Sequence, residues 1–467
     1  MAMYGQPDLR EVIFALEGDG MASQKLRDFL ESINGKFDFT TEDMRRMVQS
    51  FHLEMGNGLS GRKSSLKMLP AFVDRATGKE KGHFVALDLG GTNFRVIQVE
   101  LDGRGHARVN HTGKFVIPNA VMRGTGTQLF NFIAQSIEKF ILRYEIELEK
   151  KSKLGFTFSF PIDQKNIVSG ILINWTKGFT ATGVIGANVV KLLEEAIRKY
   201  GLENIQVAAL ANDTVGALAA KSYEDPDCDV GIIFGTGTNA CYREKTANIL
   251  KLKNPVSGHM IVNTEWGNYS KIKSNEYDDK LDRATNNPGR QRMEKMISGM
   301  YLGEVARLVL SDMIRSKFIF AGCKARFSKG NFKTRHMALV ESDKSKDLIK
   351  IEGYLEGLGI LDTTHEDRAL LKGVCRTISR RAARISAAAI SSVVTWMDPK
   401  LRAKHTVAID GTLYEKYPNF RRTIVAALRE LHGDAAKRTK LTQVKDGSGI
   451  GVAVVAAVAS RGKSRSV

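Results

Sequence analysis

Asp88 stands two residues ahead of the turn Gly90-Gly91-Thr92-Asn93, which joins two apolar runs, "FVALDL" and "FRVIQVEL". Glycine lets a backbone approach a ligand closely and adopt positive φ. Successive N–H groups in such a turn form a concave anion site, and the threonine hydroxyl adds a donor. The chain contains no G-x-x-x-x-G-K-[ST] string and no protein-kinase signature. A phosphate would therefore be held by hairpin backbone, without a turn lysine. Asp88 repels phosphate at neutral pH. It suits a magnesium ion held through water, because magnesium keeps much of its hydration shell and takes oxygen ligands. Taken alone, the same residues serve an ordinary tight hairpin equally well.

A second set of polar residues closes apolar elements elsewhere. "FTFSFP" puts Ser159 and Phe160 at the end of a strand-like run, and "NWTKGF" sets Thr176 and Lys177 between aromatics. "LANDTVG" places Asn212 and Asp213 between a strand and a helix, and "GTGTN" supplies Thr236, Gly237 and Asn239. "NTEWG" supplies Glu265, and "GRQRMEKMISGMYLGE" supplies Gln291 and Glu294. A sugar, whose hydroxyls both donate and accept, needs this inventory of hydroxyls, amides and carboxylates. Each residue also has an ordinary alternative. Asp213 reads as a helix N-cap, Lys177 as a solvated lysine beside Trp175, and Glu265 and Glu294 as surface acids.

These side chains need rigid elements to hold them. Residues 25–60 read as helices, with Thr41 as an N-cap; strands are expected over 83–101 and 106–118. "GTGTQLFNFIAQSIEKFILRYEIELEK" has helical periodicity, "KLGFTFSFPI" is strand-like up to Pro161, and "GANVVKLLEEAIRKYGL" is an amphipathic helix. "NIQVAALANDTVGALAAKSY" reads as strand, turn, helix. Strands alternating with helices imply an α/β fold with mixed sheets. "VALDLGGTNFRV" is echoed by "VGIIFGTGTNACY", each a strand, a glycine turn and a strand. Two further glycine turns occur in "TVAIDGTLYEKYP" and "KDGSGIGVAVV". The economical architecture is two similar α/β domains offering phosphate-sized turns to a shared cleft.

At this point the chain resembles the eukaryotic-type hexokinases of the sugar-kinase and actin superfamily. The resemblance runs from about residue 40 to 460 and rests on "LDLGGTNFRV", "LGFTFSFP", "NWTKGF", "NDTVG", "GTGTNACY", "NTEWG" and "EKMISGMYLGE", in the family's order. It implies two actin-like (ribonuclease H-like) α/β domains, small and large, around a central cleft. The small one would hold 75–211 with a C-terminal return near 450–462, the large one 212–449, with an N-terminal helical segment 1–74 packed on the latter. It implies transfer of the γ-phosphoryl group of ATP to the 6-hydroxyl of glucose, and of hexoses such as mannose and fructose, the first step of glycolysis. Asp213 matches the catalytic base and Lys177 a residue meeting the transferring phosphoryl group. Ser159, Phe160, Thr176, Lys177, Asn212, Asp213, Asn239, Glu265, Gln291 and Glu294 match sugar contacts. Asp88, Gly90, Gly91, Thr92, Asn93, Arg95, Thr236 and Gly237 match ATP phosphate positions, with Asp88 the magnesium-side carboxylate. Asp410-Gly411-Thr412 and Gly447-Ser448-Gly449 match turns near the nucleotide. Three places depart from the family pattern. Ile450 replaces a frequent basic residue, Ser379-Arg380-Arg381 stands where a small hydroxyl residue near the base is common, and 325–360 follows no usable pattern.

Composition bounds the rest. The chain has 467 residues, 43% hydrophobic and 26% charged, enough for two packed domains. Its net charge is +19, but the basic clusters lack interleaved aromatics, so no nucleic-acid partner is expected. Cys228, Cys241, Cys323 and Cys375 fit neither a zinc site nor a disulfide framework, which points to a reducing compartment. No apolar run reaches the ~18 residues of a membrane helix, and no secretory or peroxisomal signal is visible. The expectation is a cytoplasmic monomer or homodimer without a membrane anchor. A non-catalytic sugar sensor, a kinase for another sugar, and a basic nucleic-acid or filament-binding protein are the competing classes.

Overall fold

The computed structural model describes Leu9 and residues 21–90, 93–149, 151–175, 177–253, 257–321 and 327–462. Its strands are β1 (Leu69–Pro70), β2 (Lys81–Leu89), β3 (Asn93–Asp102), β4 (Ala107–Val116), β5 (Ser152–Phe158), β6 (Ile162–Asn166), β7 (Ser169–Leu172), β8 (Ile205–Ala211), β9 (Cys228–Phe234), β10 (Thr238–Lys245), β11 (His259–Asn263), β12 (His405–Asp410) and β13 (Thr439–Gln443). Two large sheets form, ordered β4-β3-β2-β5-β8 and β1-β11-β10-β9-β12-β13. In the first, β2, β3 and β4 are antiparallel and β5 and β8 run parallel to β2. In the second, β9, β10 and β11 are antiparallel and β12 and β13 run parallel to β9. Apart from the edge strand β1, the two sheets have the same order and directions. The internal echo in the sequence is thus an echo of topology.

The apolar runs of the central strands follow from burial on both faces. On β2, Val85, Leu87 and Leu89 face a core closed by the helices Gly126–Arg143 and Val189–Lys199, while Phe84 and Ala86 face the opposite core. That opposite core lies between the two sheets and is filled by the helices Asp213–Glu224 and Gly447–Gly462. Val452 to Ala457 are all at most 4% exposed, so this helix is apolar all round for a physical reason. The third core unites the second sheet with the N-terminal helices Met21–Phe37 and Thr41–Leu59 and the 33-residue helix His365–Met397.

Three sequence expectations change. The N-cap of the second N-terminal helix is Thr40, whose hydroxyl accepts from Asp43 N while Asp43 accepts from Thr40 N; Thr41 instead donates to Glu430. Gly447-Ser448-Gly449 is the first turn of a helix, not a loop. The patternless stretch contains the helices Thr334–Ser342 and Ile349–Glu356, with Phe332, Met337, Val340, Ile351 and Leu355 in the core.

Candidate active site

Asp213 is the first residue of its helix, but it is not the cap. Asn212 takes that role: its Oδ1 accepts from Thr214 N at 3.0 Å and from Thr214 Oγ1 at 2.9 Å. Asp213 Oδ1 accepts from Thr214 N at 2.9 Å. Burial raises the pKa of Asp213; the charge of Lys177 opposes this, and Asp88 and Glu265 add to it. The carboxylate thus sits among Lys177, Asp88 and Glu265.

On one side of it, Lys177 holds a left-handed backbone (φ 56°) and donates from Nζ to the Ser159 carbonyl at 2.8 Å, 5.4 Å from the Phe160 ring centre. Its loop is pinned by packed rings: Phe160 lies 4.9 Å from Trp175, and Trp175 donates to the Ala181 carbonyl at 2.8 Å. Ser159 follows β5 and donates its N–H to Leu89 O at 3.1 Å, which ties the turn after β5 to the end of β2. Thr176 lies outside the described residues.

Facing this is a polar mesh from the second sheet. Asn239 Nδ2 donates to Asn263 Oδ1 at 2.7 Å and Glu265 Oε1 at 3.0 Å, and Asn263 Nδ2 donates to the same Glu265 oxygen at 2.9 Å. Sequence reasoning missed Asn263. It stands two residues before Glu265, at the end of β11 opposite Cys241 of β10, and strand alternation from Asn239 was the available signal. Glu265 (φ 54°) and Gln291 (φ 52°) both occupy left-handed backbone, and Asn287 donates to Gln291. Glu294, one turn beyond Gln291, accepts the Thr238 N–H at 2.9 Å. A Cβ on Gly237 would lie 2.7 Å from Glu294 Oε2, so a side chain there would push the carboxylate aside. Burial raises the Glu294 pKa to about 7, against the Thr238 N–H and with help from Glu265.

The glycine turns at 234–237, 410–412 and 447–449 adjoin one another. Leu89–Phe94 and Phe234–Thr238 close the β2–β3 and β9–β10 hairpins, as their sequences suggested. Gly91 and Thr92, and the side chain of Asn93, lie outside the described residues. Gly411 (φ 120°) would place a Cβ 2.2 Å from Phe234 O, so the 234–237 and 410–412 turns touch backbone to backbone. Asp410 accepts the Gly447 N–H at 3.2 Å, and exposed Thr236 and Thr412 flank the junction. Asp88 is engaged by protein: its Oδ2 accepts from Arg95 Nη2 at 2.6 Å and Ser448 Oγ at 2.9 Å. Arg95 also binds Asp446 at 2.5 Å, a partner the sequence did not suggest. Ile450 packs on the core between the sheets, and Arg381 forms a buried pair with Asp278 at 2.7 Å, so neither points to a nucleotide role.

Two sheets of like order, with apposed glycine turns over a polar pocket, form the architecture of the sugar kinases of the actin-like ATPase fold. Family models described as hexokinase match residues 29–223 and 229–458. Rice Hexokinase-7 is 42% identical over 425 residues, covering 87% of this chain and 92% of that one. Mouse Hexokinase-3 is 40% identical over 451 residues, covering 93% of this chain and 48% of that one. This chain therefore spans about half the length of that mammalian relative. A hexokinase from Schistosoma mansoni, solved in complex with glucose, superposes with a TM-score of 0.83 at 34% identity, covering 94% of this chain and 100% of that one. The chain belongs to the hexokinase family. No helix among the described residues is long and apolar enough to cross a membrane.

Proposed function

We propose that this enzyme transfers the γ-phosphoryl group of ATP to the 6-hydroxyl of D-glucose, and of mannose and fructose, giving hexose 6-phosphate and ADP at the entry to glycolysis. The carrying observation is Asp213: half-buried, relieved of capping by Asn212, and under the combined influence of Lys177, Asp88 and Glu265. Asp213 accepts the proton of the 6-hydroxyl as that oxygen attacks phosphorus. Burial favours this, because a raised carboxyl pKa makes a stronger base. Asn239, Glu265, Gln291 and Glu294 hold the remaining hydroxyls, with Ser159, Phe160, Thr176 and Asn212 closing the other side. Asn263 orients Asn239 and Glu265. Lys177 lies within the field of Asp213 and swings from the Ser159 carbonyl to meet the charge that grows on the transferring group.

The phosphates lie against Gly90–Asn93, Thr236–Gly237, Asp410–Thr412 and Gly447–Gly449. Burial raises the pKa of Asp410 with Asp213 adding to it, as Asp88 adds to that of Asp213, yet no three described acids, histidines or cysteines form a metal-ligand cluster. That donor set fits a hydrated magnesium ion carried on the phosphates, with Asp88 reaching it through water. Magnesium held there would neutralise charge on the phosphoryl oxygens. Arg95, already paired with Asp88, fixes that carboxylate.

We assign 75–211 with the C-terminal helix to a small domain and 212–449 with the N-terminal helices to a large one, closing on sugar to exclude water. The enzyme acts in the cytoplasm as a monomer or homodimer, without nucleic acid. ADP release from Mg-ATP is measured with and without glucose, for the wild type and Asp213→Ala. The variant should lose at least about a hundredfold in kcat while calorimetry still shows glucose binding. Glucose binding without turnover in the wild type would make the protein a sensor.

A further inference from the structure

The chain crosses between the two sheets three times: through segment 71–80, through the helix Asp213–Glu224, and through the helix Gly447–Gly462. All three crossings meet at Glu80, which is 1% exposed. Its carboxylate accepts from Thr77 Oγ1 at 2.7 Å and Thr77 N at 3.2 Å, and pairs with Arg461 Nη1 at 3.1 Å. Arg461 also donates to the Lys79 carbonyl. The Glu80 carbonyl accepts from Tyr223 Oη at 2.7 Å, and Tyr223 Oη accepts from Gly103 N at 2.9 Å. A Cβ on Gly78 or Gly105 would meet the Tyr223 carbonyl at 3.1 or 3.0 Å, so the backbone is close here too.

Tyr223 and Arg461 end the two helices whose first turns carry Asp213 and Ser448. At 1.5 Å per residue, Glu80 lies about 15–20 Å from the chemistry. The helices are locked together between these ends. A Cβ on Gly451 would lie 1.8 Å from Gly216 O, and one on Gly216 would lie 3.0 Å from Ser448 Cα. Two helices fused at their crossing move as one body, and a shift at the far end reaches Asp213 and Ser448 together.

We propose that Glu80 is a positioning residue for phosphoryl transfer: by tying Arg461 and Tyr223 to the connecting segment, it sets the register of Asp213 against the phosphate turn at Ser448. This rests on Asp213 as the base. Small misplacements of reacting groups are costly, up to about a hundredfold for about 1 Å. Of the proposed sugar contacts only Asn212 and Asp213 lie on these helices, so most of the sugar binding does not depend on that register.

The test compares Glu80→Gln, Arg461→Met, Arg461→Lys and the Gln/Met double variant in kcat, glucose KM, calorimetric glucose Kd and melting temperature. Glu80→Gln and Arg461→Met should each lower kcat about tenfold or more while glucose Kd stays within about threefold. The double variant should be no worse than the poorer single, because one contact is lost, and Arg461→Lys should recover most of the rate. Wild-type kcat in Glu80→Gln overturns the proposal. So does a fall that follows the lost folded fraction, with unchanged turnover per glucose-binding site. If Glu80→Gln does not fold, Tyr223→Phe decides by the same split, since it removes one hydroxyl only. A wild type that phosphorylates no hexose, or an active Asp213→Ala, would defeat the functional reading instead.

Discussion

The opening polar residues of the helix Asp213–Glu224 divide labour in a way their types alone do not show. Asn212 caps and Asp213 does not, although either residue suits a cap. The candidate residues were legible because they sit at strand ends in recognisable strings. Asn263 and Asp446 were not, since their roles exist only through partners distant in sequence. Glu294 gives a test at this scale. Burial raises its pKa to about 7, above the ~4.3 of an unfolded chain. The folded state therefore holds this proton longer, and its cost to stability is absent near pH 4 and grows as pH rises towards and through 7. Thermal unfolding of the wild type and Glu294→Gln from pH 5 to 8.5 should show the variant gaining stability relative to wild type as pH rises, levelling above pH 8. Parallel curves would show that the site leaves this carboxyl unperturbed.

At the scale of elements, the sequence yielded the strands and the amphipathic helices, because burial on one or both faces writes a period into them. It misassigned the start of the C-terminal helix. Gly447-Ser448-Gly449 is poor helix sequence on propensity, and it is helical because tertiary contact overrides propensity. Glycine is needed there for the crossing. Gly451→Ala should destabilise by at least about 3 kcal/mol, since a Cβ would lie 1.8 Å from the Gly216 carbonyl and backbone must move. Denaturant unfolding would register this as a lower midpoint. An unchanged midpoint would mean that the crossing is looser than described. The helices at 334–356 were illegible because they are short and the second begins after a left-handed residue, Leu348 (φ 55°).

At the scale of the molecule, the repeated hairpin pointed to two like halves, and the repeated strand order bears that out. Only the family resemblance implied that the last helix belongs beside the first sheet, because contacts between residues 84–101 and 452–457 leave no local signature. A fragment of residues 1–223 therefore should not show a cooperative thermal transition by circular dichroism. The same fragment with residues 444–462 attached through a flexible linker should regain one. A cooperative transition in the first fragment would mean that the helix is dispensable for that sheet.

The placement of that helix also bears on how the chain is made. The ribosome completes the first sheet by residue 211, yet the helix that covers its inner face follows more than two hundred residues later. At 5–20 residues per second the interval is on the order of tens of seconds. Throughout it, the face bearing Phe84, Ala86, Ile97 and Val99 has no permanent cover. A nascent polypeptide arrested between residues 223 and 447 should therefore expose more of this face to limited proteolysis than the complete chain does.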